Sequence, residues 1–488
     1  MPPPSSSPTS TPSTPPLYDT IIIGAGLSGL QTAVSLHTAG LKVCILEATA
    51  RIGGKVRSVQ SSARGYNDLG AAWINDSSQE EMVALVRRYG VEVEVQRDEG
   101  DSIVQGYAGG GEGDGNGEGD GGVRRVGFGF VPGDPEVLRQ LLEAVRRESA
   151  LCDLDDPAAS PGAKELSMIT FRDFCVRISQ SETAIGFADE VSSGLLGVQG
   201  DEISALYLLQ YIKAGTGIDN LMSDQKHGGQ YLRARPGMQT IPKRLAAELP
   251  SESIYLETPV TSIRQCLDSD IPCEVHTSHG QIFRAHRVVL SIPTTLHKTI
   301  SFSPPLPKPR QILRETTVLG YYSKTILVFS HPWWRTAGLS GVITAQTGPI
   351  SFTRDTSVPA DEQWSITCFI VGSRGREWST YSKSARYEQV WMQFKACFGP
   401  FVDEVPEPAN TLEMEWAKEA FHLGAPCPVI PAGDHGVVEV AGELDRPFGK
   451  VHFVGTETAR VWRGYMEGAV RSGLRGANEV LGALGKCS

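Results

Sequence analysis

Asp19-Thr20-Ile21-Ile22-Ile23-Gly24-Ala25-Gly26-Leu27-Ser28-Gly29-Leu30, followed by the apolar run 42–46 and then Glu47, decides how this chain folds. A strand, a glycine-rich turn, a helical pattern at Leu27, Leu30, Ala33 and Val34, and a second strand ending in an acid form a βαβ unit that binds a dinucleotide. Gly24 permits the tight turn, Gly26 lets the backbone approach a pyrophosphate, and Gly29 lets the helix lie close to the strand. The helix N-terminus offers free N–H groups and the positive end of its dipole to the phosphates. Glu47 is placed to accept hydrogen bonds from the adenosine ribose, and its charge disfavours a 2′-phosphate. With 53 glycines among 488 residues, a glycine triplet alone is weak. The flanking strand and helix, and the acid roughly 20 residues on, carry the assignment.

Outward from this unit, Arg51-Ile52-Gly53-Gly54-Lys55-Val56-Arg57 suits phosphate or flavin contact, or equally a solvated basic turn. Asp68-Leu69-Gly70-Ala71-Ala72-Trp73 has small residues in a row, which allow a flat ligand to approach the backbone. Residues 78–89 read as a capped amphipathic helix. Residues 106–122, nearly all Gly, Asp and Glu, read as a floppy hairpin extension between strand-like runs at 91–95 and 123–130. Residues 135–230 are mainly helical in pattern. Short strands follow at 253–256, 260–265, 274–277, 288–291, 317–329 and 364–371, then a helix at 380–398. Val451-His452-Phe453-Val454-Gly455-Thr456-Glu457 leads through a turn into a last helix from Gly464. No second strand–GxGxxG–helix unit is present, which favours one bound dinucleotide.

A chain of 488 residues is too long for one simple core, so two domains, sequential or intertwined, are expected. Hydrophobic content of 40% and charged content of 21% describe a soluble globular protein. A net charge of −11 argues against nucleic acid or an anionic membrane as partner. The nine cysteines show no CxxC pairs, so neither a metal framework nor a disulfide framework is expected, and a reducing compartment fits. No apolar run approaches the roughly 20 residues of a membrane span. The Pro/Ser/Thr-only segment 2–16 reads as a disordered tail without a targeting signal. The last three residues do not match the peroxisomal tripeptide. A cytoplasmic location is the default expectation. Asn75-Asp76-Ser77 fits a glycosylation sequon by chance.

These residues resemble the flavin-containing monoamine oxidases, nearest to the soluble fungal ones, over almost everything from Tyr18 to Leu484. The glycine turn with Glu47, Gly53-Gly54-Lys55 and Leu69-Gly70-Ala71-Ala72-Trp73 carry the resemblance. So do Thr258-Pro259-Val260, Ser291-Ile292-Pro293 and the run Pro304-Pro305-Leu306-Pro307. It is densest in Phe453-Val454-Gly455-Thr456-Glu457-Thr458 and Gly464-Tyr465-Met466-Glu467-Gly468-Ala469-Val470. The resemblance implies FAD and an α/β (α+β) fold of amine-oxidase, p-hydroxybenzoate-hydroxylase-like architecture. A Rossmann-like FAD-binding domain (18–90, 231–300, 421–484) is then intertwined with a mixed-sheet and helical substrate domain (91–230, 301–420), after a tail at 1–17.

By matching position, Gly24, Gly26, Gly29, Glu47, Ala48, Arg51, Gly54, Lys55, Gly70, Ala71, Ala72, Trp73, Val260, Gly455, Thr456, Glu457, Gly464, Tyr465, Met466 and Ala469 should contact FAD. Lys324, in an apolar strand, either snorkels at an exposed edge or needs a buried polar partner; the family places a lysine here that holds a water against the flavin. Tyr465 matches the aromatic that flanks the substrate amine, and Gln230 a substrate-pocket glutamine. The helix from Gly464 should aim its dipole at the flavin ring.

Two departures stand out. The cysteine that tethers FAD in the animal enzymes, and the second cage tyrosine after it, align with Ala425 and Pro426; Cys427 is offset. FAD is therefore expected to be non-covalent, with Phe421 or His422 lining the second wall of the substrate pocket, or with that wall open. The animal enzymes' C-terminal membrane helix has no counterpart. The implied reaction converts an amine to an imine, then aldehyde and ammonia, with O2 reduced to H2O2. Polyamine oxidase, L-amino acid oxidase, a non-catalytic flavoprotein and a nicotinamide dehydrogenase stay open as alternatives, as does a monomer or homodimer.

Overall fold

The computed structural model describes residues 16–107, 122–267, 271–433 and 441–486. Strand Leu17–Ile23, helix Leu27–Thr38 and strand Val43–Leu46 follow in the expected order. The first strand pairs in parallel with Val43–Leu46 on one side and Ile282–Leu290 on the other. Ile254–Tyr255 extends the sheet past Val43–Leu46, and Val451–Phe453 runs parallel to the end of Ile282–Leu290. The apolar run at 21–23 is continuous because both faces of this sheet are covered. Ile22 joins the core cluster under the helices, while Ile21 and Ile23 join the opposite one. Antiparallel Cys273–Thr277 pairs with the first half of Ile282–Leu290 and carries Val260–Arg264 and Ser301–Ser303 beyond it. Ile23, Leu46, Tyr255, Leu290 and Phe453 bring five carboxyl ends to one edge, where ligands of such sheets bind.

Helix Leu27–Thr38 packs against the last helix, Met466–Ala483. Thr32 Oγ1 donates to Gly473 O at 3.0 Å, and a Cβ on Gly473 would lie 2.6 Å from Ser28 O. The glycine is what lets the first and last helices touch.

A second, seven-stranded sheet runs Asn410–Glu415, Tyr322–Phe329, Trp364–Val371, Phe352–Asp355, Leu339–Ala345, Asp101–Gln105 and Val123–Val126. An aromatic core including Phe329, Trp334, Phe394 and Phe398 packs with it. Helices Pro135–Leu151, Phe171–Ile178, Glu182–Leu196 and Ala205–Ala214 share a further core. Ala205–Ala214 is buried almost all round, which its unbroken apolar pattern requires.

Three local expectations are corrected. The partner of Val123–Val126 is Asp101–Gln105; Val93–Val95 pairs with Leu232–Ala234 in a separate small sheet. Polar ends and the preceding Gly100 hid the short strand 101–105. Most of 106–122, the proposed floppy extension, lies outside the described residues, as does the tail through residue 15. Helix Glu80–Arg88 has no side-chain cap of its own; Glu467 accepts from the Glu81 and Met82 N–H groups at 3.2 and 2.8 Å instead. Asn75 is fully buried, its Oδ1 accepting from Ser77 N and Ser78 N, so it cannot serve as a glycan acceptor. No helix among the described residues is long and apolar enough to cross a membrane.

Candidate active site

The glycine turn shows why each glycine is needed. Gly24 has φ +102°, and a Cβ there would meet Ser291 Oγ at 2.8 Å. On Gly29 a Cβ would lie 2.2 Å from Gly24 O, so the helix could not close on the strand. Nothing lies within 4 Å of a Cβ on Gly26: that face opens to the cavity. Gly26 begins a helix with no side-chain cap, which leaves first-turn N–H groups for an anion. Glu47 Oε2 accepts from Ala25 N at 2.7 Å, and its Oε1 from Thr49 N at 2.9 Å. The carboxylate is thus fixed at the cavity wall with acceptor capacity to spare.

Arg51 and Lys55 add buried positive charge. Both terminal nitrogens of Arg51 are buried without a partner. Burial lowers the pKa of Arg51. Such an orphaned guanidinium fits a missing polyanion, and the cradle fits a dinucleotide pyrophosphate. Lys55 Nζ donates to Pro426 O at 3.0 Å; burial lowers its pKa against the opposing pull of Glu457. Glu457 in turn accepts from Thr294 N at 3.0 Å. His422 packs edge-on against Trp416, and burial together with Lys55 and Arg51 pushes its pKa down to about 3, so the ring is neutral. The substrate-pocket assignment of His422 did not anticipate this neighbourhood of cofactor-side cations. Phe421, 42% exposed, borders the same cavity. Cys427 is fully buried in the helical core and does not line the cavity; Ala425 and Pro426 do.

Lys324 is buried, which removes the snorkelling alternative. Its strand neighbours are Phe369 and Met414, and its Nζ lies 5.2 Å from the ring centroids of Trp73 and Phe369. Nζ donates to Gly70 O at 2.6 Å and to Asp68 O at 3.0 Å. An ammonium has three donors, so one remains for the cavity. Burial lowers its pKa to about 8, with Asp68 opposing that shift.

Tyr465 is the N-cap residue of Met466–Ala483, a second helix start without a side-chain cap on the same cavity. Its ring meets Trp462 edge-on at 4.9 Å and Tyr211 at 6.1 Å. Thr456 Oγ1 donates to Tyr465 O at 2.7 Å, tying the turn before the helix to the start of it. Gln230 Nε2 donates to Leu221 O at 3.1 Å.

One cavity gathers these groups. Every site residue named from sequence lines it except Gly29, which acts beneath the turn, and Arg51. Tyr211, Tyr322, Phe369, Leu195 and Trp416 also line it and were not named beforehand. Tyr322 was within reach, since it lies two residues from Lys324 on the same face of a strand. The others come from distant segments with no local signal.

The comparisons agree with this geometry. The family model described as flavin containing amine oxidoreductase matches residues 27–481. A probable flavin-containing monoamine oxidase A of Dictyostelium discoideum is 29% identical over 95% of this chain and 97% of its own length. The human flavin-containing amine oxidase B is 28% identical, covering 96% of this chain and 87% of its own. Among solved structures, cyclohexylamine oxidase from Brevibacterium oxydans superposes with a TM-score of 0.85 at 28% identity, covering 96% of this chain and 100% of its own. A putrescine oxidase bound to putrescine, at 23% identity and TM-score 0.84, covers 96% of this chain and 99% of its own and shares the fold. The glycine cradle and the family match across nearly the whole chain lead to one conclusion: this protein belongs to the flavin-containing amine oxidoreductase family, as an amine oxidase.

Proposed function

We propose that the chain oxidises an apolar monoamine to an imine, with FAD held non-covalently and O2 leaving as H2O2. The observation that carries the substrate class is the cavity lining. Among the described residues, its only carboxylates are Glu47 and Glu457, each already engaged by a backbone N–H, and no arginine lines it. A second ammonium would find no free anion, and a substrate carboxylate no guanidinium clamp. The aromatic and apolar side chains of Trp73, Leu195, Tyr211, Tyr322, Phe369 and Tyr465 favour a neutral, apolar amine instead.

Gly24, Gly26 and the first turn of Leu27–Thr38 would hold the pyrophosphate, with Arg51 supplying charge and Glu47 taking the ribose. Lys55, Ala71, Ala72, Val260, Glu457, Met466 and the other residues matched above would surround the rest of the group. FAD, when bound, supplies the two-electron chemistry between a C–H bond beside nitrogen and dioxygen. The protein excludes water, orients the amine against Tyr465, and keeps the Lys324 ammonium where negative charge grows on oxygen. An imine from a primary amine then hydrolyses to aldehyde and ammonia. Burial of Cys427 behind the wall favours non-covalent attachment, and acid precipitation should release all of the flavin.

A peroxide-coupled substrate panel tests this reading. Benzylamine or cyclohexylamine should exceed putrescine in kcat/KM by about 10²-fold, since an unpaired buried ammonium costs several kcal/mol. Preference for putrescine would assign a diamine oxidase, and turnover of an L-amino acid would reveal a carboxylate clamp.

A further inference from the structure

Resting on the oxidase reading, a second inference concerns the short segment 68–70. Its three consecutive carbonyls are all used by side chains of the cavity wall. Asp68 O and Gly70 O accept from Lys324 Nζ, and Leu69 O accepts from Trp416 Nε1 at 3.1 Å. The segment is itself pinned. Leu69 N donates to Arg57 O at 2.9 Å and Ala71 N to Lys55 O at 3.1 Å. A Cβ on Gly70 would lie 1.9 Å from Lys55 O, so the chain runs flush against the phosphate-side loop. The Asp68 side chain completes the anchor: Oδ1 accepts from Ser58 Oγ at 2.5 Å and from Met238 N at 3.0 Å.

We propose that Asp68 is a positioning residue for the oxygen-consuming half of the reaction: its carboxylate anchors the strut that holds Lys324 and supplies the anion that keeps this ammonium charged. In that half, dioxygen takes two electrons from the reduced flavin and two protons, and leaves as H2O2; negative charge grows on oxygen beside Lys324 before the protons arrive.

The charged groups acting on Lys324 are few. Asp68 comes from strand Tyr66–Asp68 and Arg233 from Leu232–Ala234, and they act in opposite directions. The strands flanking Lys324 contribute Phe369 and Met414, which do not titrate. Arg233 is spoken for by Gln96 Oε1, Thr356 O and Ser357 O, at 3.1, 3.0 and 2.8 Å. Gln96 Oε1 also accepts from Trp73 Nε1 at 3.0 Å, which ties this arginine to the cavity wall.

The test is Asp68→Asn, whose remaining carbonyl can still accept from Ser58 and Met238 while the charge is lost. Lys324→Met serves as reference. Two readouts are used on the holoenzymes. The first is the absorption of the oxidised flavin against pH, which needs no substrate. A transition with its midpoint near 8 in the wild type should move down by about one unit in Asp68→Asn and vanish in Lys324→Met. The second is the rate of reoxidation by O2 in stopped flow. At pH 8 a shift of one unit cuts the protonated fraction about fivefold, so Asp68→Asn should reoxidise about fivefold more slowly there and within twofold of wild type at pH 6. Reduction by amine should stay within twofold. An unmoved midpoint with unchanged reoxidation would overturn the proposal. Wild-type flavin that no amine reduces would overturn the oxidase reading, and the spectral midpoint would still decide the role of Asp68.

Discussion

The two ends of the cavity are built differently. The dinucleotide end rests on one stretch of chain: Gly24, Gly26, Gly29 and Glu47 lie in a single βαβ unit. The Lys324 end is assembled from Trp73, Leu195, Tyr211, Gln230, Tyr322, Lys324, Phe369 and Tyr465, which come from strands, helices and loops far apart in sequence. Local geometry suffices to bind a cofactor whose shape is fixed. A substrate wall needs side chains facing one another, and only tertiary packing brings them together.

Breaking each end separately gives the largest expected effects. Gly29→Ala places a methyl 2.2 Å from Gly24 O, so the helix must move away from the turn. The variant should purify with little or no flavin, read as the ratio of 450 nm to 280 nm absorbance. Lys324→Met should instead keep its flavin and its reduction by amine, while reoxidation by O2 slows by about 10²-fold, the scale of losing one oriented electrostatic donor. Equal damage to flavin retention in both variants would contradict the division.

The two halves of the reaction should also respond to pH in opposite senses. An alkylammonium with pKa about 10.4 is scarcely neutral at pH 7, and its neutral fraction grows roughly tenfold per unit. The kcat/KM for amine should therefore rise between pH 6 and pH 8. Lys324 is charged below about 8 and loses its proton above, so kcat/KM for O2 should be flat at low pH and fall through that value. Steady-state kinetics with each substrate varied in turn separates the two; a flat amine profile would remove the neutral amine from the account.

A smaller effect tests the join between the ends. Glu467, at the start of the last helix, caps helix Glu80–Arg88 and pairs with Arg471 at 2.6 Å. Glu467→Ala should cost about 1–2 kcal/mol, as loss of a cap does. It should lower the thermal midpoint by a few degrees and leave substrate preference unchanged.

This contrast also marks what the sequence could reveal. The 19–47 unit was readable because strand, turn, helix and acid follow at fixed spacing. Lys324 stood out as a cation in an apolar strand, but its burial depended on carbonyls at 68 and 70 that no spacing predicts. Strand 101–105 was missed because Asp101, Ser102 and Gln105 leave it only two apolar residues. The cap of helix Glu80–Arg88 comes from a carboxylate 385 residues from Met82, beyond any local rule. The neutral state of His422 follows from Lys55 and Arg51 standing near it only in the folded chain.

Anaerobic reduction of the purified protein by benzylamine tests the central claim most directly. The account predicts that the flavin band near 450 nm bleaches within the mixing experiment and returns on admitting air, with one H2O2 formed per flavin. A flavin that stays oxidised with benzylamine, cyclohexylamine and other apolar monoamines would contradict it.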